Sequence, residues 1–362
     1  MKKNVILFLF VILNLGLCFG QTYTWTKLKT EPFHGKQDDI FFVDENRGWY
    51  INGYGRIYHT TDGGQNWTLQ LEKKGTFFRC VAFIDSLTGF AGTVGTDYFP
   101  NVTDSVPLYK TTDGGKNWAP VVYKGKYVKG LCGLDIVKEE YINHGDIGYK
   151  YHIYGVGRVG SPANFIVSND DGNTFTSMDM MPYCRALYDI KMFNTKEGFA
   201  CASTGDDIEH SHAAIIHTTD GGKTWKKVFE SKRPFEISWK ISFPSKMIGY
   251  ATMHGYNPDT TIVSQHFIKT TNGGKTWKEY ELCKDYDSRS FGIGFVDDNN
   301  GFIGTMNTGY QTKDGGKSWT KIDLGRACNK FRIVKMPNGH IYGYAIGVSV
   351  FKLSVDAGLN KK

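Results

Sequence analysis

The chain has 362 residues, 43 of them Gly and only 10 Pro, with 15% aromatic residues and a formal net charge of +7. A hydrophobic fraction of 40% excludes a disordered polymer. The wealth of Gly, Tyr, Phe and Trp argues against a helical bundle and for many short strands joined by tight turns, and the scattered lysines exclude a nucleic-acid stripe.

The first element in chain order is a leader. Residues 1–20, MKKNVILFLFVILNLGLCFG, place Lys2 and Lys3 before an apolar run from Val5 to Leu17. Cys18 and Gly20 supply small residues ahead of Gln21. The pattern predicts a signal peptide, and therefore a secreted or periplasmic protein. A lipid anchor on Cys18 competes with it, but Leu17 suits that processing poorly. No later apolar run approaches the ~20 residues of a spanning helix. Residues 21–362 are expected to form one domain.

Next comes a short strand, TYTWTKL, around Trp25. Six segments then repeat one pattern about every fifty residues. They are TTDGGQNW ending at Trp67, TTDGGKNW at Trp118, SNDDGNTF at Phe175, TTDGGKTW at Trp225, TTNGGKTW at Trp277 and TKDGGKSW at Trp319. The acidic position is Asp62, Asp113, Asp170, Asp220, Asn272 and Asp314. Its side-chain oxygen can accept hydrogen bonds from backbone N–H groups ahead in the turn. The Gly pair permits positive φ, and the aromatic plugs between layers as the next strand begins. Folding alone explains these residues, so their role is read as structural.

A second repeat precedes each motif: a strand, a polar turn, then a Gly-aromatic pair that opens another strand. The pairs are Gly48-Trp49, Gly89-Phe90, Gly148-Tyr149, Gly198-Phe199, Gly249-Tyr250 and Gly301-Phe302. The final segment, IVKMPNGHIYGYAIGVSVFKLS, supplies three strands and lacks a fourth, which the strand around Trp25 is expected to provide. The result is an all-β, seven-bladed β-propeller whose ring closes when the N-terminal strand joins the C-terminal blade.

The six motifs resemble the Asp-box, or BNR, repeat. The whole sequence after the leader is most similar to secreted relatives of the photosystem II stability/assembly factor family. That resemblance implies a propeller used as a binding platform for a protein. Asp boxes also occur in sialidases, but the Arg-Ile-Pro motif of that family finds no match, since Arg332-Ile333 is followed by Val334; a sialidase-like enzyme would need three of the nine arginines to converge.

In such blades the connections between strands 2 and 3, and from strand 4 to the next blade, share one face. The 2–3 loops are long in the second to fifth blades, at roughly residues 93–108, 155–164, 203–214 and 252–267. With the 4–1 connections they offer Tyr98, Arg158, Arg185, Asp206, His210, His212, His254, Tyr256, Tyr286 and Arg289 as candidate binding residues. Arg79 and Arg233 fall in the same connections. Aromatics with Asp and Arg suit a protein or glycan partner.

Two catalytic arrangements are conceivable on that face. Asp206 and Asp259 would make a glycosidase pair. His254 with Tyr256 or Tyr286, and Arg289, would make a polysaccharide lyase. The segment GDDIEHSH sets His210 and His212 beside Asp206, Asp207 and Glu209, which are metal-ligating types, yet an exposed acidic loop accounts for it more simply. No cofactor or metal is expected. The favoured reading is a monomeric, non-catalytic binding propeller, with a carbohydrate-active enzyme as the alternative.

Six cysteines follow the leader: Cys80, Cys132, Cys184, Cys201, Cys283 and Cys328. Disulfides are permitted, with Cys80 and Cys132 as neighbours; buried thiols serve equally. The run Gly155 to Gly160 matches G-x-G-x-x-G, but SPANFIVS after it is a strand and not the helix a dinucleotide needs.

Overall fold

The computed structural model describes residues 21–356, so the leader and its Cys18 alternative lie outside the described residues. Every regular element among these residues is a β-strand. No helix is long and apolar enough to cross a membrane among them. Seven sheets follow one another along the sequence, antiparallel throughout except that Tyr123–Gly125 adds a parallel fifth strand beside Phe175–Asp179 in the third. Blade 1 is typical, with strands Gln37–Phe42, Gly48–Asn52, Arg56–Thr60 and Thr68–Glu72. The first strands of blades 2 to 7 are Phe78–Phe83, Gly133–Asn143, Ala186–Met192, Glu236–Ser242, Ser290–Phe295 and Lys330–Lys335.

The ring closes as the repeat predicts. Thr22–Lys27 pairs antiparallel with Val350–Asp356, setting Trp25 opposite Leu353. Trp25 meets Phe302 and Phe331 edge-on at 5.1 and 5.5 Å. Trp118 meets Phe83 and Trp319 meets Phe267 in the same way. Blade 7 abuts blade 1 through Arg332 Nε, which donates to the Ile40 carbonyl at 3.1 Å, and through Tyr344, stacked on Phe42 at 3.6 Å.

Each Asp box closes the hairpin between strands 3 and 4. In the first, Asp62 Oδ1 accepts from Thr60 Oγ1 at 2.8 Å and from the Asn66 amide at 2.9 Å. Thr60 Oγ1 in turn accepts from the Gly64 amide. Hydrogen bonds from the Asn66 amide, the Asn66 side chain and Thr60 hold the Asp62 carboxyl down at about 2. Asn272 makes the same bonds with an amide side chain. Gly63 and Gly64 both have positive φ.

The Gly-aromatic pairs link neighbouring blades. A Cβ on Gly48 or Gly301 would stand 2.6 or 2.3 Å from the ring of Phe42 or Phe295, which lies flat over it. The aromatic partner reaches the next blade's box: Trp49 Nε1 donates to the Gly114 carbonyl, and the Tyr250 hydroxyl to that of Gly315. Blade 3 departs from the expected register. Ile153 faces the box residue Ser168, so buried Tyr154 takes the place assigned to Tyr149. Gly148-Tyr149 sits instead in a hairpin arm, in which Tyr141 to Asn143 pair with Asp146 to Gly148, extending beyond the sheet. Its rings are exposed, and the pair resembles the repeat only in composition.

Candidate functional site: a cleft over the channel mouth

The innermost strands line the channel, and their irregularities decide what enters it. Pairing between strands 1 and 2 slips at Gln37/Asp39, Phe78/Cys80, Leu187/Asp189, Ser238/Ile241 and Ser290/Ile293. A bulge re-aims the residue it frees. Those residues include Asp38, Arg79, Tyr188, Trp239 and Phe291, and they meet across the ring. Arg79 binds Asp38 of blade 1, donates to Cys132 Sγ of blade 3 at 3.2 Å and lies 4.8 Å over the Trp239 ring of blade 5. Trp239 Nε1 donates to Asn329 Oδ1 of blade 7 at 2.7 Å.

Below them Asp189 takes Lys330 at 2.7 Å and Lys240 at 3.9 Å, and Asp39 takes Arg332 at 3.1 Å. Burial opposes the Asp189 charge, yet Lys330 and Lys240 hold its carboxyl below the usual value. The channel is thus plugged by paired charges, and Arg79, expected in a surface loop, belongs to this plug. All six cysteines are free thiols, and the Cys80–Cys132 bridge is not formed.

Three adjoining cavities open above the plug, built from 2–3 and 4–1 connections. The central one, about 300 Å³, is lined by Tyr98, Tyr188, Tyr256, Ile208, Ile237 and Ser211. Burial raises the hydroxyl pKa of all three tyrosines, so they stay neutral donors at ordinary pH. On one side lies a cavity of about 420 Å³ bordered by Tyr54, Phe77 and Phe99. Adjacent residues Tyr98 and Phe99 divide the two, their rings edge-on at 4.8 Å. On the other side lies a cavity of about 180 Å³ holding Arg233, Glu236, His266, Tyr286 and Arg289.

The sequence-predicted residues divide between this cleft and the framework. Tyr98, Asp206 and Tyr256 line the central cavity; Tyr286 and Arg289 line the smaller one. Arg158 is buried and donates to the Thr96 and Ser161 carbonyls, so it ties two loops together. The loop carrying it is shorter than expected, with strands ending at Gly157 and resuming at Asn164. Arg185 pairs with Asp206 at 3.0 Å and donates to the Met181 carbonyl.

His210 and His212 do not converge. His210 Nδ1 turns to Asp207 at 2.8 Å, and His212 Nδ1 lies 3.0 Å from the Ser231 carbonyl. Among the described residues no group of three or more His, Cys, Asp or Glu is placed to hold a metal. The glycosidase pair is not assembled either. Asp206 borders the central cavity, whereas Asp259 accepts from Thr261 within its own turn.

The lyase trio is only partly assembled. His254 and Tyr256 meet at 4.6 Å, and Arg289 lies 5.9 Å over the Tyr256 ring. However, His254 is 1% exposed, with Nδ1 2.6 Å from the Ser290 carbonyl. Burial, with Arg289 nearby, pushes its pKa down to about 3. The imidazole is therefore neutral and covered. Glu236 escapes sequence reasoning: a lone Glu between Phe and Ile carries no local signal that Arg233 will hold it at 2.7 Å.

Comparison with known proteins places these features among propellers. The BNR/Asp-box repeat model matches residues 216–227. The photosystem II assembly lipoprotein Ycf48 of Picosynechococcus sp. is 22% identical over 344 residues, covering 84% of this chain and 92% of that protein. The solved structure of YCF48 from Cyanidioschyzon merolae superposes with a TM-score of 0.62 at 16% identity, covering 91% and 98% of the two chains. YCF48 bound to D1 peptide gives 0.59 at 14% identity, covering 91% and 95%. An ancestral GH74 enzyme gives 0.61 at 13% identity, covering 86% of this chain and 43% of the enzyme. With its six boxes and seven blades, the chain is a β-propeller that carries the BNR/Asp-box repeat and is similar to the photosystem II assembly factors.

Proposed function

We propose that the protein is exported and acts as a monomeric, non-catalytic propeller that binds a segment of a partner protein in the cleft on its loop-rich face. The cleft carries this reading: three adjoining cavities walled by aromatic rings, with a guanidinium at one end. Such walls bind through apolar contact and orientation, and polar groups fix the register. A related propeller solved with a peptide bound supports a polypeptide as the occupant. Export rests on the leader sequence, with a lipid anchor on Cys18 as its competitor. A glycan is the second reading, because aromatic faces stack on sugars and GH74 enzymes share the fold.

The test is selection from a displayed library of random 12-residue peptides, with a Tyr98→Ala/Tyr256→Ala variant as the counter-target. Peptides that hold the wild type and lose the variant are expected. Release of reducing ends or unsaturated products from a polysaccharide and sialoside panel would overturn the non-catalytic reading. Mass measurement of the exported protein reads where processing occurs, with Gln21 expected first.

A further inference from the structure

We infer that the bound segment is extended and carries a large apolar side chain and, two or three residues away, a carboxylate. This deepens the reading above and rests on it. The apolar side chain fits the central cavity. Its walls are the three neutral tyrosines with Ile208 and Ile237, and the Ser211 hydroxyl that borders it is 2% exposed with no hydrogen-bond partner. That unpartnered hydroxyl is left to a backbone carbonyl of the bound segment, the apolar side chain itself having no polar atom to offer it.

The carboxylate follows from a contrast between two arginines in the neighbouring cavity. Arg233 is neutralised twice, by Glu236 at 2.7 Å and Glu279 at 2.6 Å. Arg289 is half-buried against the Tyr256 ring and has no acidic partner among the described residues. The acid nearest in its own loop, Asp285, accepts from Ser288 and the Asp287 amide instead. His254, packed beneath Tyr256, is neutral and brings no charge of its own. The geometry leaves one guanidinium free at the cleft wall, and a planar fork of this kind matches a carboxylate bidentately.

Spacing sets the register. Tyr256 lines the central cavity, and the guanidinium of Arg289, which lines the smaller one, lies 5.9 Å from its ring centroid. Crossing that one ring takes an extended segment about two to three residues at ~3.3–3.6 Å each. The carboxylate belongs to an Asp or Glu residue or to the free C-terminus of the segment; both present the same group.

The peptides selected from the 12-residue library provide the test. Enriched sequences are expected to share a Phe, Tyr, Trp, Leu or Met with an Asp, a Glu or the free C-terminus two or three positions away. Replacing that acid by its amide, or amidating the C-terminus, should weaken binding to the wild type by about tenfold or more. The same change should weaken binding to Arg289→Met less than twofold. The two arms of the acid replacement tell a side chain from a terminus. Peptides that need Tyr98 and Tyr256 but lack the pair would overturn this inference and leave the proposed function standing. Equal weakening in Arg289→Met would overturn it too. Failure to enrich any cleft-dependent peptide would remove both.

Discussion

At the scale of single residues, identical chemistry serves unlike purposes according to what surrounds it. The box carboxylates are bound by backbone amides and a hydroxyl, so any acceptor of the same shape will serve. Asn272 already demonstrates this. Asp113→Asn should therefore leave the urea midpoint close to that of wild type, while Asp113→Ala should lower it at constant slope.

His254 shows the opposite dependence on context. Its folded pKa lies near 3, below the ordinary value of 6.5. The unfolded state therefore binds the extra proton between those values, and stability must fall as pH drops from about 6.5 toward 3. The slope from this group is at most about 1.4 kcal/mol per pH unit. Urea unfolding at pH 7, 5.5 and 4 should show that slope diminished in His254→Phe. Neither behaviour is visible in the sequence around these residues: an Asp box announces itself by its glycines, whereas His254 stands in a run that says nothing of Ser290 or Phe291.

At the scale of elements, the glycine opening strand 2 is required where a ring from strand 1 lies flat on it. Gly301→Ala would drive a methyl into the ring of buried Phe295 and should lose more than about 2 kcal/mol. Gly148→Ala also meets a ring, that of Tyr141, but Tyr141 is exposed and free to swing away. That change should lose less than about 1 kcal/mol. The contrast between the two variants in denaturant tests whether Gly148 belongs to the arm and not to the blade framework. The departure of blade 3 from the repeat has a physical source, since composition recurs while register depends on partners. Ile153 faces Ser168 because the whole hairpin is longer, and only the pairing reveals it.

At the scale of the whole molecule, the ring of seven sheets is closed by a single inter-terminal strand pair. Deleting residues 21–28 would strip blade 7 of its outer strand and uncover Phe302 and Phe331 beneath Trp25. The expected result is a loss of at least about 3 kcal/mol and association through the exposed edge, followed by denaturation and size-exclusion chromatography.

By itself the sequence determined the blades, the box hairpins, the closing strand and the face bearing variable loops. Each of these is written in local spacing, because a hairpin needs only its own turn residues and the stripe it buries. Tertiary structure alone decided what meets at the channel. The bulges that free Asp38, Arg79, Tyr188 and Trp239 bring together side chains from blades 1, 2, 4 and 5, far apart in the sequence. It also separated the arginines: Arg158 and Arg185 bind loop carbonyls, Arg233 is held by two glutamates, and Arg289 is left to the cleft. A guanidinium looks the same in any sequence; whether it is spent or free depends on which carboxylates and carbonyls the closed ring sets beside it.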